Sequence, residues 1–278
     1  MANSTDIRLR NQVIYSLFIR NHTLEGTFSA VEKDLDRIKA LGTDIIWLLP
    51  IHPSGIKGRK GAMGCPYAVS DYRTVNPAYG TLEDFVHLVD EIHKRDMKCL
   101  MDVVYNHTSL DSQLAQEHPE YFYQIDGEHP GSRVGDWSDV VDLDYRHETL
   151  WEYQIETLRM WAKIVDGFRC DVASLVPAAF WKRCREEVEK VKPGCIWLAE
   201  TIHADFVRDM RTQGFHAWSD GELYEAFDIT YEYDIEQFKE DYIKGRRSLR
   251  EYIDVLNLQD CIYPENYVKL RFLENHDQ

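Results

Sequence analysis

Short runs of consecutive apolar residues alternate along the chain with stretches in which apolar residues recur every three or four positions, the patterns of buried strands and of amphipathic helices. The first strand is expected from Val13 to Phe18 (VIYSLF), followed by a helical pattern from Ser29 to Leu41 that Gly42 stops. A second strand is expected from Asp44 to Pro50. The next helix opens at Thr81, where Asp84 completes a capping box and Leu82, Phe85, Val86, Val89 and Ile92 form the apolar stripe. The third strand, KCLMDVVYNH from Lys98 to His107, is nearly continuous in apolar residues, as parallel strands are when both faces are buried. From Thr108 to about His147 the periodicity gives way to a polar, aromatic stretch with Gly127, Pro130, Gly131 and Gly135, too long for an ordinary βα loop. The rhythm then resumes with a helix from Glu148 to Val165, a strand from Gly167 to Asp171, a helix from Ala178 to Val191 and a strand from Cys195 to Glu200. A strand near Phe227 to Tyr233, a charged helix around Arg247 to Leu256 and a strand from Val268 to Asn275 complete it.

Seven strands in βαβ order predict an α/β fold, a parallel sheet curling into a (β/α)8 TIM-type barrel with its functional loops at the strand C-terminal ends. Residues 1–107 and 148–278 are expected to form the barrel, and residues 108–147 a small inserted subdomain after the third strand. The eighth strand is missing from the pattern, so the barrel is expected to be incomplete at its C-terminus.

Composition narrows the partners. With 32 basic and 48 acidic residues the net charge is −16, and no basic run is longer than a few residues, which argues against nucleic acid and anionic membranes as ligands. No stretch approaches the roughly 20 apolar residues of a membrane span, and the first 20 residues lack the apolar core of a signal peptide, so a cytoplasmic location is expected. Six cysteines scattered without a CxxC pair suit reduced thiols. The sequons at Asn3, Asn21 and Asn106 read as chance, and the loop GIKGRKG at 55–61 reads as flexible rather than as a phosphate cradle.

Chemistry gathers at the ends of four expected strands: DVVYNH (102–107), GFRCD (167–171), WLAE (197–200) and FLENHD (272–277). In a barrel these ends surround one mouth, so Asp171, Glu200 and Asp277 are expected to face one another with Arg169, His107, Asn275 and His276 between them. Neighbouring carboxylates disfavour one another's ionised form, the condition for splitting acid and base roles between them. Taken singly, Arg169 with Asp171 reads as a buried structural ion pair, Asn106 as a turn cap, His203 as a surface loop residue, and Trp137 and Trp218 as core.

Together the four segments, in this order and spacing, resemble the alpha-amylase family, family 13 of the glycoside hydrolases, from about Ile14 to the last residue. GCPYAVSDY (64–72) and VVDLDY (140–145) look like two further segments of that family. The resemblance implies that Asp171 is the catalytic nucleophile, Glu200 the general acid/base and Asp277 the third carboxylate, which holds sugar hydroxyls. A retaining glycosidase sets nucleophile and acid roughly 5 to 5.5 Å apart. Arg169 would orient the nucleophile, His107 and His276 would hydrogen-bond the sugar, and Tyr67 would stack on it. A structural Ca²⁺ held by Asn106 and Asp142 is also implied. Where many alpha-amylases carry a Lys-His pair after the nucleophile, this chain reads DVASLVP, with Ser174 and Leu175 in those places. The activity implied is retaining hydrolysis of α-1,4-glucosidic bonds in starch-derived glucans or maltooligosaccharides. The alternatives are a transglycosylase or α-glucosidase of the same family, and a non-catalytic amylase-like binding protein. That last kind has lost catalytic carboxylates and carries a membrane anchor, whereas this chain keeps all three carboxylates.

Overall fold

The computed structural model describes residues 5–277. The chain divides into two compact units, one of residues 12–171 and 184–196, the other of the residues up to Asn11 with 172–183 and those from 197 on.

In the first unit, β1 (Ile14–Leu17) pairs in parallel with β2 (Ile45–Leu48), aligning Ile14 with Ile45. Between them run α1 (Ile19–His22), α2 (Phe28–Glu32) and α3 (Leu35–Ala40). The expected helix from Ser29 to Leu41 is therefore two pieces. The Asp34 N–H bonds to the Val31 carbonyl, a tighter turn that breaks the ladder, and Gly42 ends the second piece with a φ of +86°. Next, α4 (Leu82–His93) starts at the Thr81 capping box as expected. Its buried stripe is Phe85, Leu88, Val89 and Ile92, while Leu82, in the first turn, is 44% exposed.

The third parallel strand, β3 (Lys98–Val103), aligns Ile46 with Cys99. It stops four residues short of the expected His107, which instead begins β4 (His107–Ser109). After α5 (Gln113–Glu117), β4 meets β5 (Val140–Asp142) in an antiparallel pair that sets His107 opposite Asp142. Then α6 (Glu148–Trp161) leads to β6 (Gly167–Cys170), parallel to β3 and aligning Asp102 with Arg169. Gly167 is required by close approach, since a Cβ there would lie 2.3 Å from the Ile196 carbonyl oxygen and 2.6 Å from Leu100 Cδ2. Trp47, Phe85, Leu100, Trp161 and Phe168 are buried at the centre of this unit.

From here α7 (Ala178–Glu189) leads to β7 (Ile196–Ala199). In the second unit come α8 (Ala204–Thr212) and α9 (Asp220–Leu223), then β8 (Ile229–Tyr231), parallel to β7. They are followed by α10 (Glu236–Ile243), α11 (Leu249–Ile262) and β9 (Val268–Leu270), parallel to β8. The expected strand from Val268 to Asn275 ends at Leu270. Beyond it Phe272 packs edge-on against Tyr231 and Tyr233 in place of ladder pairing. Trp197, Tyr224, Phe227 and Tyr231 are buried here. Parallel pairing follows chain order throughout, β1-β2-β3-β6 and β7-β8-β9, with helices between strands. This is the α/β class of a (β/α)8-type barrel, with seven of its strands among the described residues.

Candidate active site

The first unit builds a charged cluster from the ends of β3 and β6. Alternate residues of a strand share a face, so Arg169 and Asp171 project together, and the register sets Asp102 beside Arg169. Arg169 Nη1 lies 2.9 and 3.1 Å from the two Asp102 oxygens and 2.9 Å from Asp171 Oδ1. Arg169 and Asp102 are wholly buried and Asp171 nearly so. The guanidinium lies over the Trp47 ring, 5.0 Å from its centroid, and 5.6 Å from that of Tyr67. The Tyr67 hydroxyl donates to Asp102 Oδ2 at 3.0 Å. Arg169 is thus shared between two carboxylates, and Asp102, which sequence reasoning left without a role, is its second anchor. The Asp171 N–H donates to the Val103 carbonyl, fixing the backbone below the carboxylate.

His107 stands over this cluster, its Nε2 3.9 Å from Asp171 Oδ2. Burial pulls its pKa down to about 4 against smaller opposing effects from Asp139 and the Tyr67 backbone, so near pH 7 the imidazole is neutral. Its ring meets Trp137 edge-on at 5.3 Å, and Trp137 is half-buried rather than in the core.

Asn106 and Asp142 are both buried near the β4-β5 pair. Asp142 Oδ2 accepts from the Arg133 N–H at 2.8 Å and lies 3.3 Å from Arg133 Nη1, whereas Oδ1 is buried with no hydrogen-bond donor among the described residues. Burial raises the Asp142 pKa against the pull of Arg133, the mark of a carboxylate whose charge is incompletely compensated. An orphaned carboxylate oxygen and a buried amide fit a hard cation. Among the described residues no group of three or more His, Cys, Asp or Glu side chains gathers as a metal site. A cation here would therefore draw its remaining ligands from other oxygens, such as backbone carbonyls, side-chain amides or hydroxyls, or water.

In the second unit, Glu200 follows β7 and is 9% exposed. Its Oε2 accepts the Val172 N–H at 2.6 Å, and its carbonyl accepts the Ala173 N–H at 3.0 Å. Val172 has φ +36° and ψ +46°, a left-handed conformation that costs a β-branched residue about 1–3 kcal/mol. The strained peptide is the one that joins Asp171 to Val172, and its N–H is the group that holds Glu200. No sequence signal marks it, because valine is the last residue expected there.

Asp277 lies on the loop after β9 with its side chain 48% exposed, its N–H bonded to Asn275 Oδ1 and its Oδ1 3.5 Å from His276 Nε2. Asn275 Nδ2 donates to the Tyr233 hydroxyl at 3.2 Å. His203 occupies the position before α8 without a side-chain capping bond and is exposed as expected, and Trp218 is half-buried beside His216. The structure thus joins Arg169, Asp171, His107 and Tyr67 within the first unit, and gathers His276 with Asp277 in the second, where Glu200 is fixed by Val172.

A family model for the catalytic domain of alpha amylase matches residues 5–139. The chain is similar to the crystal structure of an alpha-amylase from Lactobacillus plantarum, 53% identical with a TM-score of 0.96, over 98% of this chain and 65% of that one. It is also similar to a maltogenic alpha-amylase from Thermotoga neapolitana, 44% identical with a TM-score of 0.85, over 98% and 61%. An alpha-1,4-glucan:maltose-1-phosphate maltosyltransferase from Streptomyces coelicolor is 32% identical over 68% of this chain and 31% of its own length. The chain spans about a third of the length of the curated relatives it matches.

Proposed function

The chain belongs to the alpha-amylase family, and from that premise we propose that the protein is a retaining glycoside hydrolase cleaving α-1,4-glucosidic bonds in starch-derived glucans or maltooligosaccharides. The observation that supports this best is the Asp102–Arg169–Asp171 cluster. A wholly buried guanidinium flanked by two carboxylates favours the ionised form of Asp171, the form a nucleophile needs. In this reading Asp171 attacks the anomeric carbon while Glu200 gives its proton to the departing glycosidic oxygen. Glu200 then takes a proton from water as that water displaces Asp171, so the configuration is retained. Neutral His107, with His276 and Asp277, would bind sugar hydroxyls, and Tyr67 would offer its ring to the sugar's apolar face. The Streptomyces relative's name gives the second reading, transfer of the glycosyl group to an acceptor other than water.

Full-length protein incubated with maltopentaose is expected to release shorter maltooligosaccharides whose new reducing ends are first α by proton NMR. Products longer than the substrate on chromatography would favour transfer. β-Configured products, or none, would overturn the reading. The six cysteines are free thiols, and no helix among the described residues is long and apolar enough to cross a membrane.

Calcium at Asn106 and Asp142 is part of the same proposal. The bound ion would neutralise Asp142 and tie the β4-β5 pair to the end of β3. Removing it with EDTA is expected to lower the melting temperature by several degrees, and excess Ca²⁺ to restore it. A melting curve unmoved by either would remove calcium from the account.

A further inference from the structure

The loop GIKGRKG at 55–61, expected to be flexible, is fastened to the inserted stretch at two points, both within the first unit. At its start the Ile56 and Lys57 N–H groups both donate to Asp111 Oδ2 at 3.0 Å. Gly55 makes that approach possible, since a Cβ there would lie 2.3 Å from Ser109 Cβ and 2.4 Å from Asp111 Oδ1. At its end Lys60 Nζ donates to the Asp136 carbonyl at 2.8 Å and lies 3.1 Å from Asp139 Oδ1. The Asp139 side chain is buried, and a buried carboxylate holds its charge at low cost only beside a counter-charge, which Lys60 supplies while remaining half exposed itself. Between the two residues that Lys60 grips stands Trp137, whose N–H bonds to the Val134 carbonyl at 3.0 Å. Its ring meets His107 edge-on, and His107 Nε2 is 3.9 Å from Asp171 Oδ2. A half-buried ring is not fixed by core packing alone, and here the chain is held on both sides of it.

We propose that Lys60 is a positioning residue, which by gripping Asp136 and Asp139 from the loop after β2 holds the Trp137 ring against His107 and so fixes His107 above Asp171. The inference rests on Asp171 being the nucleophile and His107 a group that binds the sugar attached to it. It puts an exposed lysine in control of how well that sugar is held. Part of the grip is an ion pair half in water, so added salt should weaken it.

The test compares full-length wild type, Lys60→Met, Lys60→Arg and Lys57→Met on maltopentaose and on α-maltosyl fluoride, which share the sugar that Asp171 would attack and differ in the leaving group. Lys60→Met is expected to lose about five- to tenfold in kcat/KM, mostly through KM and by the same factor on both substrates. Lys60→Arg should recover most of the loss, and Lys57→Met, the same change of charge on the same loop, should lose nothing. In a Trp137→Ala background Lys60→Met should cost no more than about twofold further, because the residue it acts through is already gone. By hydrogen exchange, the amides of residues 134–139 should exchange faster in Lys60→Met than in wild type. A full loss that persists without the Trp137 ring, a loss confined to maltopentaose, or no loss at all would overturn the role of Lys60 while leaving the hydrolase reading in place. A wild type inactive on both substrates would overturn that reading and this inference with it.

Discussion

Asp171→Asn in the full-length protein is expected to lower kcat on maltopentaose by at least about a thousandfold while leaving the melting temperature within a few degrees of wild type. The substitution is nearly isosteric and keeps a carbonyl oxygen where Oδ1 accepts from Arg169. Arg169 also retains both oxygens of Asp102, so its buried charge is not left uncompensated. What disappears is the anionic oxygen that would form the bond to the anomeric carbon. Mass spectrometry sharpens the test, because a slow 5-fluoroglycosyl fluoride should add its glycosyl mass to wild type and not to the variant. Near-wild-type kcat, or labelling of the variant, would remove Asp171 from the nucleophile's place.

How much of this was legible before the structure depends on whether the deciding contact is local. Thr81 and Asp84 announce a helix start because the capping box is closed within four residues. Arg169 and Asp171 announce a shared face because strand geometry alone puts positions i and i+2 together. Asp102 is different. Its place beside Arg169 follows from the register of two strands separated by 63 residues of chain between β3 and β6, which no local pattern encodes. The same holds for β4 and β5, whose pairing of His107 with Asp142 is hidden in a polar, aromatic stretch with no alternation to read. The sequence pattern does not announce α8 and α10 either, because the charged residues of ADFVRDMRT and EQFKEDYI leave each only a narrow apolar stripe. Val172 could not be anticipated at all, since its left-handed backbone opposes its own preference and is sustained by its surroundings.

Glu200 should separate proton delivery from every other role. If it is the acid, Glu200→Ala should lose about a thousandfold or more on maltopentaose, whose alkoxide leaving group needs a proton, and far less in the first step on α-maltosyl fluoride, whose leaving group does not. Added azide should then speed turnover of the fluoride by the variant and yield maltosyl azide of retained configuration, because an anionic nucleophile needs no general base. Alanine also takes away the acceptor of the Val172 N–H, and that peptide is already strained, so part of any loss could arise from a displaced backbone. Glu200→Gln distinguishes the two causes. Glutamine keeps an oxygen to accept from Val172 but has no acidic proton to give, so it should be as inactive as alanine on maltopentaose, with the melting temperature of wild type. Activity restored by glutamine would mean that Glu200 serves to hold the Val172 peptide, and the acid/base would have to be sought elsewhere. Equal losses on maltopentaose and the fluoride in both variants would count equally against proton delivery.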